Sequence, residues 1–226
     1  EDSAKGLPVF FAFHADASAR GRTGLFFFRG RPGAPFALVC PGGGFRYVGA
    51  LHEGFPIAKT LSERGFNAFV LQYRTDGEQV ACEDMALALS WIFRHAGELD
   101  VSTNDYSVWG GSAGARMAAD LGSYGSKALG GDDLPKPAAV IMAYTGHNWI
   151  AENDPPTFSV VSEDDPIASA RIMRERTKAL RQAGIDAQIL VVKHAGHGFG
   201  TGEGTDAEGW LDMALDFWKR HIRKQG

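Results

Sequence analysis

The chain has 226 residues, of which 44% are hydrophobic and 22% are charged, and this composition is that of a globular protein with one large core. The net charge of -4, from 23 Lys and Arg against 27 Asp and Glu, provides no overall positive field that would attract a nucleic acid. The two cysteines, Cys40 and Cys82, are too few for a disulfide scaffold and lack metal-ligand spacing, so we expect two buried thiols.

The sequence contains no recognisable membrane or export signal. No apolar stretch approaches the length of about 18 residues that a membrane span requires, and the opening EDSAKGLPVFF lacks the regions of a signal peptide. We therefore expect a soluble protein with no membrane partner. Since the sequence starts at Glu1 without a methionine, it leaves open whether the protein is cytoplasmic or secreted after removal of an upstream segment, and it does not indicate an oligomeric state.

The first half of the chain alternates short apolar runs with amphipathic stretches. Four apolar runs predict strands: residues 8–13 and 24–29, which form a hairpin across a Gly- and Arg-rich turn, 36–40 and 67–73. Apolar residues at helical spacing predict one helix over 53–64 and a second whose buried face includes Met85 and Leu89, ending near Gly97.

The second half continues the same alternation. Four further runs predict strands: residues 106–110, 138–144, 157–162 and 188–192. Helical spacing recurs over 113–122 and over about 167–183, and a final amphipathic helix has an apolar face containing Leu211, Leu215 and Trp218.

The order of these elements predicts the fold class. An antiparallel start followed by repeated strand and helix alternation is typical of an α/β protein with a mostly parallel central sheet and helices on both faces. No internal repeat or long linker divides the sequence, so we predict a single domain over 1–226, without a large lid. In such sheets ligands bind at the carboxyl ends of the strands.

A candidate nucleophile stands at one of these strand ends. Residues 110–114 read GGSAG and match the pattern G-x-S-x-G between a predicted strand and a predicted helix, which is the setting of a nucleophile elbow. The elbow holds its serine in a strained backbone conformation, and the flanking Gly110 and Gly114 are small enough to let strand and helix approach. Ser112 is therefore predicted to be a nucleophile, which needs a neighbouring base.

The base and its orienting acid are expected later in the chain. Of the histidines that follow the start of the last strand, His197 lies between glycines in AGHGFG, which suits an accessible loop. His194 and His221 are the alternatives, the first directly after the strand and the second in the final helix. His197 is therefore the predicted general base.

The acid is expected in the sequence EDDP at 163–166, after the strand at 157–162. Asp165 precedes Pro166, which favours an extended backbone there, and it is the predicted acid. Asp164 is its competitor, and the one that is not catalytic is expected to cap the following helix. The acid would hold the tautomer of His197 and stabilise the imidazolium.

Donors for an oxyanion are predicted on a glycine-rich loop. Residues 41–45 read PGGGF after an early buried strand and match the HGGG element of esterases with proline in place of histidine. The expected donors are the backbone N–H of Ala113 and those of one or two loop glycines, above all Gly43 and Gly44. A phosphate-binding loop is the alternative, but no GK[ST] follows and the spacing fails G-x-G-x-x-G.

As a set, the motifs PGGGF, GGSAG, DDP and GHGFG resemble the α/β-hydrolase superfamily, and within it the small esterases of the acetyl xylan esterase or feruloyl and acetyl esterase group. The resemblance covers nearly the whole chain, from about Phe36 to Trp218. It implies a serine carboxylesterase with no metal and no organic cofactor. Ala115 and Arg116 depart from the pattern, because many relatives have glycine and histidine there.

Aromatic residues near the predicted site suggest the substrate. Phe45, Arg46 and Tyr47 follow the glycine loop and are expected at the rim of the pocket, with Tyr144 and Trp149 approaching from the next strand end. Their rings would either stack on sugar or phenolic groups or serve packing alone. With no lid, we predict short acyl groups, acetyl first, on a small-molecule or oligosaccharide ester such as acetylated xylan.

Other activities use the same scaffold. The alternatives are hydrolysis of feruloyl esters, other small esters or lactones, or peptide hydrolysis. An alternative of another class is a binding protein that has lost catalysis, against which the presence of Ser112, Asp165 and His197 argues.

Overall fold

The computed structural model describes residues 9–14 and 23–223 of the chain. In that part of the chain one eight-stranded sheet forms, with the strands β1 (Val9–Phe11), β2 (Gly24–Phe28), β3 (Pro35–Cys40), β4 (Asn67–Gln72), β5 (Ser102–Gly111), β6 (Ala139–Ala143), β7 (Thr157–Ser162) and β8 (Ala187–Val192). The strand β5 begins earlier than predicted, because its polar first residues still pair with β3, where Pro35 lies opposite Ser102.

The strand order is β1-β2-β4-β3-β5-β6-β7-β8. β1 pairs antiparallel with β2 and β2 with β4, and every later neighbour pair is parallel. The predicted mostly parallel sheet with antiparallel strands at its start is thus confirmed. The predicted turn between the first two strands falls on 15–22, outside the described residues.

Helices follow most of the parallel strands: α1 (Phe55–Glu63), α2 (Glu78–Leu99), α3 (Ala113–Tyr124), α4 (Ala170–Gln182) and α5 (Trp210–His221). A π-helical turn, Ala50–Gly54, precedes α1 directly. The helix α2 runs past its predicted end at Gly97, because Asp100 adopts the left-handed conformation at φ 55° and closes the helix there, as aspartate tolerates more readily than most residues.

The helices cover both faces of the sheet, as predicted. The crossover from β3 to β4 runs in the direction opposite to those from β4 to β5 and from β5 to β6, so right-handed connections place α1 on one face and α2 and α3 on the other. The helix α5 lies on the face of α1, where Trp218 contacts Phe66 at a ring-centroid distance of 4.6 Å and Trp109 of β5 at 6.4 Å.

The core lies between the sheet and these helices. Because both faces are covered, the central strands are continuous apolar runs, and Phe36 to Cys40 of β3 are all buried. Cys40 and Cys82 are free buried thiols, as expected. No helix of the described residues has the length and apolarity needed to cross a bilayer. The carboxyl ends of β3, β5, β6, β7 and β8 share one edge of the sheet, where the candidate site lies.

Candidate active site

Ser112 occupies a tight turn between β5 and α3. Its backbone has φ 52° and ψ -115°, a conformation disfavoured for any residue with a side chain. The turn requires glycine on both sides. A Cβ on Gly110 would lie 2.2 Å from the backbone of Gly114, and a Cβ on Gly114 would lie 1.8 Å from the carbonyl oxygen of Cys40. The predicted close approach of strand and helix is therefore present, and it fixes the backbone that carries the hydroxyl.

Two hydrogen bonds join Ser112 to the predicted base and acid. Ser112 Oγ lies 2.9 Å from His197 Nε2, and His197 Nδ1 lies 2.8 Å from Asp165 Oδ2. The side chain of Asp165 is fully buried and that of His197 is 17% exposed. Three residues widely separated in sequence thus form one chain of contacts, with the hydroxyl of Ser112 at one end and a buried carboxylate at the other.

The carboxylate of Asp165 is fixed by the backbone as well. Its second oxygen, Oδ1, accepts hydrogen bonds from the N–H groups of Ile167 at 2.7 Å and Ala168 at 2.8 Å. One oxygen is thereby held by the chain that follows, and the other remains for His197. This arrangement orients the imidazole ring so that Nε2 faces the serine.

The competing Asp164 has a different set of contacts. Its Oδ1 accepts hydrogen bonds from Ser162 Oγ at 2.5 Å and from the N–H of Gly196 at 2.9 Å. These donors, the Ser162 hydroxyl first, lower the pKa of Asp164 to about 2. Asp164 therefore ties the start of the histidine loop to the end of β7. It also faces His194, which is 76% exposed.

The third histidine weighed from the sequence is separated from the cluster around Ser112. His221 lies in the last turn of α5, and its Nε2 is 3.1 Å from Asp186 Oδ2. Of the three histidines considered from the sequence, the structure brings only His197 into contact with Ser112.

Tyr144 lies behind the base. Its side chain is fully buried, and its ring meets the rings of His197 and Phe199 edge to face, at centroid distances of 5.2 and 4.5 Å. Burial, aided by the charge of Glu53, raises the pKa of Tyr144 well above its ordinary value, so the phenol stays neutral. Tyr144 supports the histidine ring and offers no surface to a substrate, in contrast to its predicted position at the pocket.

The glycine loop has a strongly turned backbone. Gly43 and Gly44 have φ values of 133° and 61°, which favour glycine. No hydrogen bond within the described part of the chain uses the N–H of Gly43 or Gly44. Ala113 is the first residue of α3, and N–H groups of a first helical turn have no partner within the helix. The three predicted donors are thus available, whereas the N–H of Gly42 is taken by Glu53 at 2.5 Å.

The predicted rim residues lie in loops at the carboxyl edge of the sheet. Phe45 is half-buried with φ 58°, Arg46 is exposed, and Tyr47 and Trp149 are 66% and 53% exposed. Two aliphatic residues that the sequence did not single out also project from this edge, namely Leu51, 80% exposed, and Ile167, 73% exposed.

Two further residues beside the site, His52 and Glu53, were missed because the sequence showed them only as polar residues near the start of an amphipathic helix. Glu53 is 8% exposed, and His52 Nε2 lies 2.7 Å from the carbonyl oxygen of Gly198 in the histidine loop. In the structure both residues lie in a π-helical turn. Such turns are frequent at functional sites, but the sequence of this segment did not predict one.

A metal centre is not part of this arrangement as far as the structure describes the chain. Among the described residues no group of three or more His, Cys, Asp or Glu side chains is placed to hold a metal ion. The arrangement combines a serine with a neighbouring histidine, an aspartate that orients the histidine, and free backbone N–H donors. Groups placed in this way can carry out acyl transfer through a covalent intermediate.

The chain is similar to several known proteins. A family model described as BD-FAE matches residues 31–133. The chain is 25% identical over 220 residues to endo-1,4-beta-xylanase B of Butyrivibrio fibrisolvens, covering 76% of this chain and 34% of that protein. It is 21% identical over 215 residues to an acetylxylan esterase of Xylanibacter ruminicola, covering 80% and 44%. The chain thus spans less than half the length of these curated relatives.

A solved structure covers almost the whole fold. The enzyme MGS-M1, an alpha/beta hydrolase from a Medee basin deep-sea metagenome library, is 20% identical, covers 95% of this chain and 97% of its own, and has a TM-score of 0.80. At this identity the likeness establishes the fold, and the chemistry depends on the residues at the carboxyl edge of the sheet.

Proposed function

We propose that this chain, whose fold is that of the α/β-hydrolases, is a serine carboxylesterase with Ser112 as nucleophile. The observation that supports the proposal most directly is the chain of two hydrogen bonds from Ser112 Oγ through His197 to Asp165, 2.9 and 2.8 Å long. It lies at the carboxyl edge of the sheet, next to backbone N–H groups that have no other described partner.

The first half-reaction transfers the acyl group to the enzyme. His197 Nε2 takes the hydroxyl proton of Ser112 while Oγ attacks the ester carbonyl, and Asp165 stabilises the imidazolium that forms. The N–H groups of Ala113 and Gly43, with Gly44, stabilise the oxyanion of the tetrahedral intermediate. The imidazolium then gives its proton to the departing alcohol, the bond from carbonyl carbon to alcohol oxygen breaks, and an acyl-Ser112 ester remains.

The second half-reaction releases the acid. His197 takes a proton from a water molecule, whose oxygen attacks the acyl carbonyl, and the same N–H groups hold the second oxyanion. When this intermediate collapses, the proton on the imidazolium returns to Ser112 Oγ and the carboxylic acid leaves. The buried Asp165 stays ionised throughout, because its role is to orient the ring and stabilise its charge.

We propose short acyl groups, acetyl first, as substrates. Support comes from the exposed carboxyl edge of the sheet, which no lid covers within residues 9–14 and 23–223 and where the loops carrying Tyr47 and Trp149 leave large aromatic surfaces open. Further support comes from the acetylxylan esterase among the relatives. Aromatic rings of this kind stack on sugar rings, so the alcohol part is expected to be a carbohydrate such as acetylated xylan or its oligosaccharides. Feruloyl or other small esters are the alternative that a substrate panel decides.

The nucleophile is tested by substitution. Ser112→Ala should lower the rate of p-nitrophenyl acetate hydrolysis by at least about a thousandfold and abolish labelling by a fluorophosphonate probe. Ser169→Ala is a matched control, since this serine precedes α4 without a side-chain capping hydrogen bond. Full activity in Ser112→Ala would contradict the mechanism, and wild-type protein that neither turns over esters nor takes the label would point to a binding role.

The acyl preference is tested with an ester series. p-Nitrophenyl acetate should be hydrolysed with a higher kcat/KM than butyrate or longer esters, and acetate should be released from acetylated xylan. Faster turnover of a long-chain ester would contradict the acetyl preference, and turnover of methyl ferulate above that of the acetyl esters would favour the feruloyl alternative.

A further inference from the structure

We propose that Glu53 is a positioning residue that holds the oxyanion loop, residues 42–49, against the nucleophile, and that the turn Ala50–Gly54 fastens this loop and the histidine loop, residues 194–200, to one another. The inference rests on the proposed esterase function. It assigns a role to a buried carboxylate and a π-helical turn that the reaction mechanism itself does not use.

A closed ring of three hydrogen bonds defines the oxyanion loop. The N–H of Gly42 donates to Glu53 Oε2 at 2.5 Å, the N–H of Glu53 donates to the carbonyl oxygen of Gly49, and the N–H of Gly49 donates to the carbonyl oxygen of Gly42, both at 2.9 Å. Gly42 is therefore held on both sides of its α-carbon. Since the carbonyl of Gly42 shares a peptide plane with the N–H of Gly43, the ring also sets the direction of a predicted oxyanion donor.

The carboxylate of Glu53 fills the space between this loop and the elbow. A Cβ on Gly42 would lie 2.7 Å from Glu53 Oε2 and 2.9 Å from Ser112 Cβ, and a Cβ on Gly111 would lie 2.9 Å from the same oxygen. These two glycines leave room for the carboxylate, and the carboxylate keeps the loop at a fixed distance from Ser112.

The same turn reaches the histidine loop through the residue before Glu53. His52 Nε2 lies 2.7 Å from the carbonyl oxygen of Gly198, and a Cβ on Gly200 would lie 2.9 Å from the carbonyl oxygen of His52. Gly198 follows His197 directly. Two adjacent side chains of one turn therefore contact the loop that would bind the oxyanion and the loop that carries the base.

The position of Glu53 argues for support rather than direct participation. Ser112 Oγ is already 2.9 Å from His197 Nε2, so a second base is unnecessary. A negative charge beside a developing oxyanion would also oppose it. What the reaction needs from Glu53 is an acceptor for Gly42, and glutamine can supply one of the same length.

The test compares Glu53→Ala, Glu53→Gln and the control Glu63→Ala, whose side chain is 64% exposed. The readouts are kcat and KM for p-nitrophenyl acetate, and the affinity for a boronic acid that adds to the serine and places an oxygen where the oxyanion forms. Glu53→Ala should lower kcat about tenfold to a hundredfold with little change in KM, because the lost interaction acts in the transition state. Boronic acid affinity should fall by a similar factor, Glu53→Gln should recover most of both, and Glu63→Ala should match wild type.

Hydrogen–deuterium exchange separates the two loops without requiring turnover. Glu53→Ala should accelerate exchange in peptides covering 42–49, and His52→Ala should accelerate it in peptides covering 194–200. Unchanged kcat and boronic acid affinity in Glu53→Ala, or a Glu53→Gln protein as impaired as the alanine variant, would overturn the positioning role. If Glu53→Ala does not fold, Glu53→Asp replaces it, because the shorter side chain of aspartate cannot reach Gly42. The Glu53→Asp protein should then show the same losses of kcat and boronic acid affinity.

The proposed function and this inference fail in different ways. Wild-type protein without esterase activity and without fluorophosphonate labelling overturns the function, whereas exchange in residues 42–49 that is the same in wild type and Glu53→Ala overturns the positioning role whatever the activity.

Discussion

At the scale of single residues, the neighbouring side chains of Asp164 and Asp165 have the same chemistry but different burial and different contacts. Asp165 is fully buried against His197, while Asp164 is 44% exposed beside His194 and holds the histidine loop through Gly196. The difference follows from the chain direction after β7, because Asp165 faces the interior of the site and its neighbour faces the loop above it. We propose that the first orients the base and the second shapes the loop that carries it.

The two aspartates can be separated by amide substitution. Asp165→Asn should lower kcat for p-nitrophenyl acetate by about a thousandfold to ten-thousandfold, because an amide favours the wrong tautomer of His197. Asp164→Asn keeps an oxygen that accepts from Ser162 and Gly196, so its kcat should stay within about fivefold of wild type, with a modest fall in melting temperature. The reverse ranking of the two kcat values would make Asp164 the triad acid.

The glycines that flank Ser112 have no space for a side chain, whereas Gly97 in α2 has. Gly114→Ala places a methyl group 1.8 Å from the carbonyl oxygen of Cys40, so strand and helix must separate, and loss of activity with a marked loss of stability is expected. Gly97, inside α2, has nothing within 4 Å of a built Cβ, and Gly97→Ala should raise the free energy of unfolding by about 0.5 to 1 kcal/mol. Urea denaturation measures both changes, and an active, stable Gly114→Ala protein would contradict the packing argument.

These residues also show what sequence patterns can reveal at this scale. Gly110, Ser112 and Gly114 are identifiable because a strained turn needs small residues at fixed spacing around the serine. Glu53 has no such signature, since its partners are backbone atoms of Gly42 and Gly49 that meet it only after the loop closes. Tyr144 was assigned to the rim because it follows a strand end, but φ 38° turns its backbone and its side chain is buried behind His197.

At the scale of elements, the loop 144–156 is joined to α4 by a buried ion pair and to α3 by a buried hydrogen bond. Arg176 of α4 donates to the carbonyl oxygen of Trp149 and forms an ion pair with Asp154 at 3.1 Å, the two side chains being 3% and 1% exposed. Ser123 Oγ of α3 donates a hydrogen bond to Asp154 Oδ1 at 2.6 Å. In the same loop His147 Nε2 lies 3.9 Å from Asp120 Oδ1 of α3, which is too far for a hydrogen bond. The loop that carries the exposed Trp149 ring is therefore anchored to two helices by groups that water hardly reaches.

The Asp120 and His147 pair should make opposite contributions to stability as pH changes. Burial, with the neighbouring Glu78, raises the pKa of Asp120 from 3.8 to about 6, so the folded state binds more protons than the unfolded state between these values and stability falls as pH rises. Burial, with Arg176 and Arg116, lowers the pKa of His147 from 6.5 to about 4, so there the unfolded state binds more protons and stability rises with pH.

Single variants should reveal the two opposed slopes. Between pH 4 and 6 the free energy of unfolding of His147→Gln should fall relative to that of wild type as pH rises. That of Asp120→Asn should rise relative to wild type over the same interval. Each pKa shift of about 2 units corresponds to a change of up to about 3 kcal/mol in this difference in unfolding free energy. Urea denaturation across this interval measures both, and variants whose curves stay parallel to wild type would exclude the opposed titrations.

Element boundaries were harder to predict than element types. Short apolar runs located each strand of the described residues, yet β5 extends to Ser102 through polar residues whose pairing with β3 depends on the neighbouring strand. The helix α2 continues beyond Gly97 because Asp100 accepts the left-handed conformation. Both differences arise from tertiary context, which a window of local sequence does not contain.

At the scale of the whole molecule, one sheet connects all parts of the described chain. The proposed triad draws on strands from its centre to one edge, β5 for Ser112, β7 for Asp165 and β8 for His197. The indoles of Trp210 and Trp218 lie on Trp109 of the central strand at 6.3 and 6.4 Å, which ties the last helix to the middle of the sheet. This continuity supports the prediction of a single domain.

Cooperative unfolding tests that prediction. Fluorescence, to which the buried Trp109, Trp210 and Trp218 contribute, and far-ultraviolet circular dichroism should give coincident urea transitions, since no part of the sheet can unfold without disturbing its neighbours. Two separated transitions would indicate independently folding parts instead. The Gly97→Ala variant should shift both signals together.

The position of His197 at the far end of the sheet has a consequence for protein synthesis. His197 follows Ser112 by 85 residues, and its loop leaves β8, which lies at the edge of the described sheet and pairs there with β7. At about 5 to 20 residues per second a ribosome needs roughly 4 to 17 s to reach it after the serine is made. On the proposed mechanism, the Ser112 hydroxyl of a nascent chain stays unactivated until the histidine loop has been synthesised and β8 has paired with β7. Covalent labelling of Ser112 would therefore count only molecules that have passed both steps.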